Sequence, residues 1–203
     1  MKTRIIYKDI KNIYLRINNG ELIISSPKGI SEEYLLEISK KHYDKLKSKS
    51  LYKRKISLDF SDKIILNEIE YTVIKSNNTL IDKNNKLVYL NEKNLVSSFE
   101  NILKESALEL LRDVKMRYNI SFEYNNVRIK NNKTNWGSVS NKNNLNLNIR
   151  LPLLSLKLSE YIIIHELCHL KHLNHSKGYW QLVETFIKDY KSIRKELKLL
   201  KIG

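Results

Sequence analysis

The sequence predicts an α+β protein. An N-terminal antiparallel β-rich part with an inserted helix is followed by a helical domain with a short sheet and a helix bearing an H-E-x-x-H motif. Three observations predict this. Short alternating segments separated by Asn- and Gly-containing turns fill the first half. From Ser97 onward apolar residues recur at helical spacing. One later segment, Leu145 to Leu151, returns to strict alternation. The change of period sets a boundary near residue 93, giving a β-rich subdomain over 1–93 and a helix-rich domain over 94–203.

Each element has its own signal. Ile13 to Ile17 and Glu21 to Ser25 flank Asn18-Asn19-Gly20, a hairpin turn because Asn and Gly tolerate positive φ. Ser31-Glu32-Glu33 offers a helix N-cap with two acids in the first turn, and Leu35, Ile38 and Leu46 share one side of a helix running to about Ser48. Segments near Lys55–Phe60, Lys63–Leu66, Tyr71–Lys75, Thr79–Asp82 and Lys86–Leu90 read as a small antiparallel sheet. Ser97-x-x-Glu100 is a capping box, and Ile102, Leu103, Ala107, Leu110, Leu111 and Val114 continue a helix to about Tyr118. Val127–Lys130 is a candidate strand. Leu145, Leu147, Ile149 and Leu151 form one buried face of another, with Asn146, Asn148 and Arg150 opposite, and Pro152 ends it. Ser155 caps a helix that carries Tyr161 to Ile164 into the histidines. A further helical pattern runs through Tyr179, Trp180, Leu182, Val183, Phe186 and Ile187, and a basic helix covers about Ser192–Lys201.

The chain has 203 residues, 41% hydrophobic and 29% charged, which is a globular rather than a disordered balance. No apolar run approaches the ~18–20 residues that a membrane span requires, and the N-terminus lacks a signal-peptide pattern. A cytoplasmic location is expected, in keeping with a lone cysteine, Cys168, read as a small buried residue. A net charge of +15 can mark an anionic partner. The joint enrichment in Lys, Asn and Ile points instead to coding bias, so a nucleic-acid partner is not favoured.

The chemistry concentrates at one place. Of five histidines, four lie between positions 165 and 175. In His165-Glu166-Leu167-Cys168-His169, the two histidines fall about 40° apart in azimuth and one turn apart on a helix. Their imidazoles can converge on one Zn²⁺ at about 2.0–2.1 Å. Glu166, about 100° round, reaches a water beside the metal without ligating, as a general base must. His175 is the preferred third ligand, because Asn174 permits a turn that ends the helix and returns the chain. His172, on a continuing helix, would sit about 4–5 Å too far along the axis. Glu184, on the next helix, remains a carboxylate alternative. The expected cofactor is one zinc ion.

The stretch from Lys133 to about Leu197 resembles the YgjP-like metallopeptidase-domain family, a group of zincin-like proteins related to SprT-like proteins. Lys133-Thr134-Asn135-Trp136-Gly137-Ser138, Leu145 to Leu151, Tyr161 to Leu170 and Asn174-His175-Ser176-Lys177-Gly178-Tyr179-Trp180 carry the likeness. Leu182-Val183-Glu184, Asp189-Tyr190-Lys191 and the weaker Leu66-Asn67-Glu68-Ile69-Glu70-Tyr71 extend it. The resemblance implies a zincin-like fold for 94–203, His165, His169 and His175 as zinc ligands, and Glu166 as the catalytic residue. Val139 stands where the family usually has Cys, and Asn135 where it usually has Arg.

Substrate-contact candidates are Trp136, Ser138, Asn148, Arg150 and Lys133. The Leu145–Leu151 strand is expected to be the edge along which an extended peptide pairs. Trp180 reads as core. His172, Tyr179 and Arg150 are candidates for stabilising a developing oxyanion. The substrate is expected to be a peptide. A nucleotide, with phosphoanhydride hydrolysis, is the alternative that the family likeness also implies. A DNA-associated SprT-like protease and a non-enzymatic zinc module complete the set; retention of Glu166 speaks against the last.

Overall fold

The computed structural model describes residues 3–18, 21–51 and 54–203, with the backbone alone at 18, 44–51 and 54. The described residues hold a mixed α+β fold with five α-helices and several small sheets. They form two compact units, Met1–Arg54 and Lys55–Gly203.

In the first unit, β1 (Thr3–Lys8), β2 (Tyr14–Asn18) and β3 (Glu21–Pro27) form a sheet in the order β1-β3-β2. β2 and β3 pair antiparallel as expected, with Asn18 opposite Glu21; the turn residues Asn19 and Gly20 lie outside the described residues. β1 pairs parallel to β3, so this sheet is mixed rather than antiparallel. The helix α1 (Glu32–Leu51) begins with the two expected acids. Leu22, Ile24 and Leu35 form a small core with Ile5, Leu15, Ile17 and Tyr43 around it. The expected side of α1 includes Leu46, whose side chain lies outside those described.

The second unit starts at Lys55, within β4 (Arg54–Ile56), a strand shorter than the predicted segment to Phe60. Next come β5 (Lys63–Leu66), β6 (Ile69–Ser76), β7 (Leu80–Asp82) and β8 (Leu87–Asn91), in the order β5-β6-β8-β7. β6 and β8 are parallel, because β7 pairs as a hairpin on the far side of β8. This sheet is therefore mixed too.

The helix α2 (Leu95–Arg117) starts earlier than the Ser97 capping box, behind a 3₁₀ turn at Glu92–Asn94. Ser98 rather than Ser97 makes the local bond, accepting from the Asn91 N–H at 2.9 Å. Phe99, Ile102 and Leu103 on α2 share one core with Ile64, Leu66, Tyr71, Val88 and Leu90 of the four-stranded sheet. That shared core explains why the units divide at Arg54 rather than near residue 93.

The third sheet is built by β9 (Asn126–Lys130), β10 (Gly137–Val139) and β11 (Asn144–Asn148), in the order β10-β11-β9. Leu145, Leu147, Ile149 and Leu151 are fully buried, as the alternation predicts. β11 is however the central strand, antiparallel to β10 and parallel to β9, so it offers no free edge. The expectation that it is the substrate-pairing edge is corrected: the edges are β9 and β10, and β10 is the one packed against the helix that carries His165 and Glu166.

The helix α3 (Leu156–Cys168) follows a 3₁₀ turn at Leu151–Leu153, with Ser155 at its N-cap. Leu158, Tyr161, Ile162, Ile163, Ile164, Leu167 and Cys168 are all buried, so α3 is apolar nearly all round and becomes the central helix. It packs against α2, β10 and β11, and against α4 (Lys177–Phe186) and α5 (Tyr190–Leu197). The predicted terminal helix starts and stops earlier than expected. Its end gives way to β12 (Leu200–Ile202), which pairs with β4. No helix among the described residues is long and apolar enough to cross a membrane.

A long-range bond holds the start of α3. In the β5–β6 turn, Asn67 and Glu68 both have positive φ, +50° and +67°. That geometry turns the Glu68 carboxylate towards α3, where it accepts from the Leu156 N–H at 3.2 Å. Asn67 N–H donates to the Pro152 carbonyl at 2.7 Å. A carboxylate at a helix N-terminus satisfies an orphan donor and complements the helix dipole.

Candidate metal centre

Helix α3 delivers His165 and Glu166 in its last turn and closes on His169 as C-cap. It ends there rather than at Asn174, so the premise that it continues towards His172 does not hold. The chain reverses through residues 170–176. Asn174 turns it with its side chain, Oδ1 accepting from the Ser176 N–H at 3.2 Å, and not with a left-handed backbone. Ser176 then caps α4 by accepting from Tyr179 N–H.

This reversal brings His175 back onto α3. His165 Nε2 and His175 Nε2 stand 3.2 Å apart, and the ligand atoms of His165, His169 and His175 lie within 4.8 Å of one another. Two nitrogens at about 2.05 Å from a tetrahedral zinc ion are separated by about 3.3 Å, so the cluster has the right span for one ion. The tautomers agree. His169 Nδ1 lies 3.0 Å from the His172 carbonyl, to which it donates, leaving Nε2 with its lone pair for the cluster.

Burial and neighbouring charge disfavour the protonated form of two of the donors. Burial lowers His165 to about 3, with the neighbouring His169 and His175 adding to the effect. His175 is lowered by burial first and then by His169 and Arg194. Three imidazoles facing one point are a donor set for a borderline-soft dication. Of the other two candidates, Glu184 is exposed on α4, and His172 contributes its backbone carbonyl rather than its ring.

Around the cluster sits an aromatic wall. Tyr179 is fully buried, stacks on His169 at 4.5 Å, and donates from its hydroxyl to the His165 carbonyl at 2.9 Å. Trp180 stacks on His175 at 5.3 Å and on Tyr190 at 5.2 Å. It is half-buried, so the expectation that it is simply core is only partly met.

Glu166 is buried, and burial alone raises its carboxyl to about 8. One wall of its site is Gly137 in β10. A Cβ built on Gly137 would lie 2.5 Å from Glu166 Cγ and 2.8 Å from Oε1. Only a residue without a side chain permits this approach. Sequence reasoning marked Trp136 and Ser138 as substrate contacts and read the glycine between them as a turn.

A family model described as YgjP-like, metallopeptidase domain, matches residues 11–199. The chain belongs to the YgjP-like metallopeptidase-domain family. Among solved structures, the metallopeptidase zymogens abylysin of Pyrococcus abyssi and jannalysin of Methanocaldococcus jannaschii are similar, at 28% and 25% identity. Each likeness covers 45% of this chain and 90% or 86% of the other, with a TM-score of 0.38. No curated protein matches the chain.

The remaining candidates of this YgjP-like chain fall into two groups. Ser138 lies on β10, its Oγ accepting from Asn146 Nδ2 at 3.3 Å, and Trp136 is half-buried against the main core just before it. Lys133 is exposed in the preceding loop. Asn148 and Arg150 point inward instead. Asn148 Nδ2 donates to the carbonyls of Asn132 and Asn135, both at 2.9 Å. The Arg150 guanidinium donates to the Ile56 carbonyl at 3.0 Å, to Asn131 Oδ1 at 2.7 Å and to the Gly203 carbonyl at 2.7 Å. These two brace the loop that leads into Trp136, with their polar groups bonded inside the protein.

Proposed function

We propose that this chain is a zinc-dependent metallopeptidase in which His165, His169 and His175 hold one ion and Glu166 is the general base. The observation that carries the reading is the three-imidazole cluster with a buried, non-ligating carboxylate next to it in sequence. When bound, Zn²⁺ supplies a Lewis acid that acidifies water and polarises the attacked carbonyl.

The protein's own groups do the rest. Glu166 accepts the proton of the attacking water and returns it to the leaving amine. Gly137 holds that carboxylate against β10 and limits its swing. In β10, Asn148 N–H bonds the Trp136 carbonyl, so by antiparallel alternation Gly137 and Val139 turn their N–H and C=O groups away from β11. A peptide can pair with this edge and lie beside the cluster. Of the three oxyanion candidates, Tyr179 and Arg150 have their donors committed within the protein, which favours His172.

The family match favours a peptide over a nucleotide. The test pairs two measurements. Zinc content is compared between wild type and His165→Ala, and casein and nucleoside-triphosphate hydrolysis between wild type and Glu166→Gln. Zinc retained in His165→Ala would refute the ligand set. Nucleotide turnover that depends on Glu166, without casein cleavage, would refute the peptidase.

A further inference from the structure

Beyond the metal cluster, the side of Trp180 reached by α5 opens on a cavity of about 380 Å³ lined by Trp180, Tyr190, Lys191, Arg194, Lys195 and Lys198. Five of these six residues belong to α5 and its C-cap. At 100° per residue, positions 190, 194, 198, 191 and 195 fall within an arc of about 140°, while Glu196 falls on the other side of the helix. The sequence thus gathers four cations over one aromatic floor. The Arg194 guanidinium carbon is 4.8 Å from the Trp180 ring centroid, and Lys191 Nζ is 5.7 Å from that of Tyr190. Among the described residues, none of the four cations takes part in an ion pair, and the nearby Asp189 is paired with Lys157.

We propose that this pocket binds the carboxylate side chain of an acidic residue in the peptide substrate, making the enzyme selective for Asp or Glu near the scissile bond. The inference rests on the metallopeptidase reading above and names its substrate class. Its continuity with the metal centre is direct, since the indole under Arg194 is the one that stacks on His175. A planar guanidinium with lysines beside it matches a carboxylate, which it can grip through two parallel hydrogen bonds. A nucleotide fits less well. Trp180 already stacks on His175 and Tyr190, so its ring is occupied where a base would need it.

The test uses the full-length, zinc-loaded Glu166→Gln protein, so that binding is read without cleavage. Hexaglutamate, a neutral hexapeptide and ATP are titrated by calorimetry at fixed ionic strength. Hexaglutamate is expected to bind. Its affinity should fall about tenfold in Arg194→Ala and further in Lys195→Ala, the second an exposed change that leaves the aromatic stack alone. A control that removes two charges elsewhere, Lys75→Ala with Lys93→Ala on and beside the four-stranded sheet, should stay within about twofold. Three results would overturn the pocket: no hexaglutamate binding, an equal loss in the control pair, or ATP binding that exceeds that of hexaglutamate and depends more on Arg194. Casein cleavage by the wild type is scored separately. Its absence alongside Arg194-dependent hexaglutamate binding removes the peptidase reading and leaves the anion pocket standing.

Discussion

Replacing Gly137 by alanine adds one methyl group facing Glu166. The ideal Cβ position is 2.5 Å from Glu166 Cγ, whereas two non-bonded carbons rest at about 3.5–4.0 Å. The carboxylate must therefore retreat by roughly 1–1.5 Å, taking the proposed general base out of reach of its proton. A misplacement of about 1 Å typically costs about a hundredfold in rate. Gly137 does not have a positive φ, so alanine brings no backbone strain and the effect runs through this contact alone. The assay is steady-state cleavage of a fluorogenic peptide, with zinc stoichiometry and thermal unfolding measured on the same preparation. The expected result is a kcat about a hundredfold lower, with zinc content intact because no imidazole is touched. Activity within a factor of about three of wild type would refute the reasoning. So would loss of zinc, which would mean that Gly137 supports the ligands instead of the base.

Three further outcomes follow from the geometry. His175→Ala should lose most bound zinc while His172→Ala keeps it, because His172 contributes its carbonyl to His169 and not its ring; metal analysis after dialysis decides. Arg150→Met should lower the unfolding free energy by about 2–4 kcal/mol in a denaturant titration, since it strands the Gly203 carbonyl and Asn131 Oδ1 and leaves the Ile56 carbonyl with the Gly203 N–H alone. Glu68→Ala should cost about 1 kcal/mol by the same measurement, through the uncapped Leu156 N–H, and leave zinc stoichiometry unchanged.

Local pattern made much of this molecule readable. The spacing of His165 and His169 carries helix geometry within itself, and the apolar stripe of α2 and the alternation of β11 are periodic over enough residues to register. What was not readable is non-local. The parallel pairings of β1 with β3 and of β6 with β8 have no turn between them to announce the partner. β10 is three residues long, too short for a period, so the role of edge went to its longer neighbour. Asn148 and Arg150 alternate like solvent-facing residues, yet each is buried because loop carbonyls satisfy it, and such satisfaction is a tertiary property. Gly137 has only absence as its signal. A glycine in a polar stretch reads as a turn until the carboxylate it faces is known.

The cap on α3 separates two kinds of information in the chain. His165 and His175 are 10 positions apart, whereas the carboxylate that holds the helix they depend on comes from 88 positions upstream of it. On the proposed reading, affinity for the ion is written in a short segment that a peptide could carry. Aim is written across the whole second unit, in a turn residue and a missing side chain that never touch the ion. A graft of residues 156–186 onto another scaffold would therefore yield a zinc binder long before it yielded an enzyme.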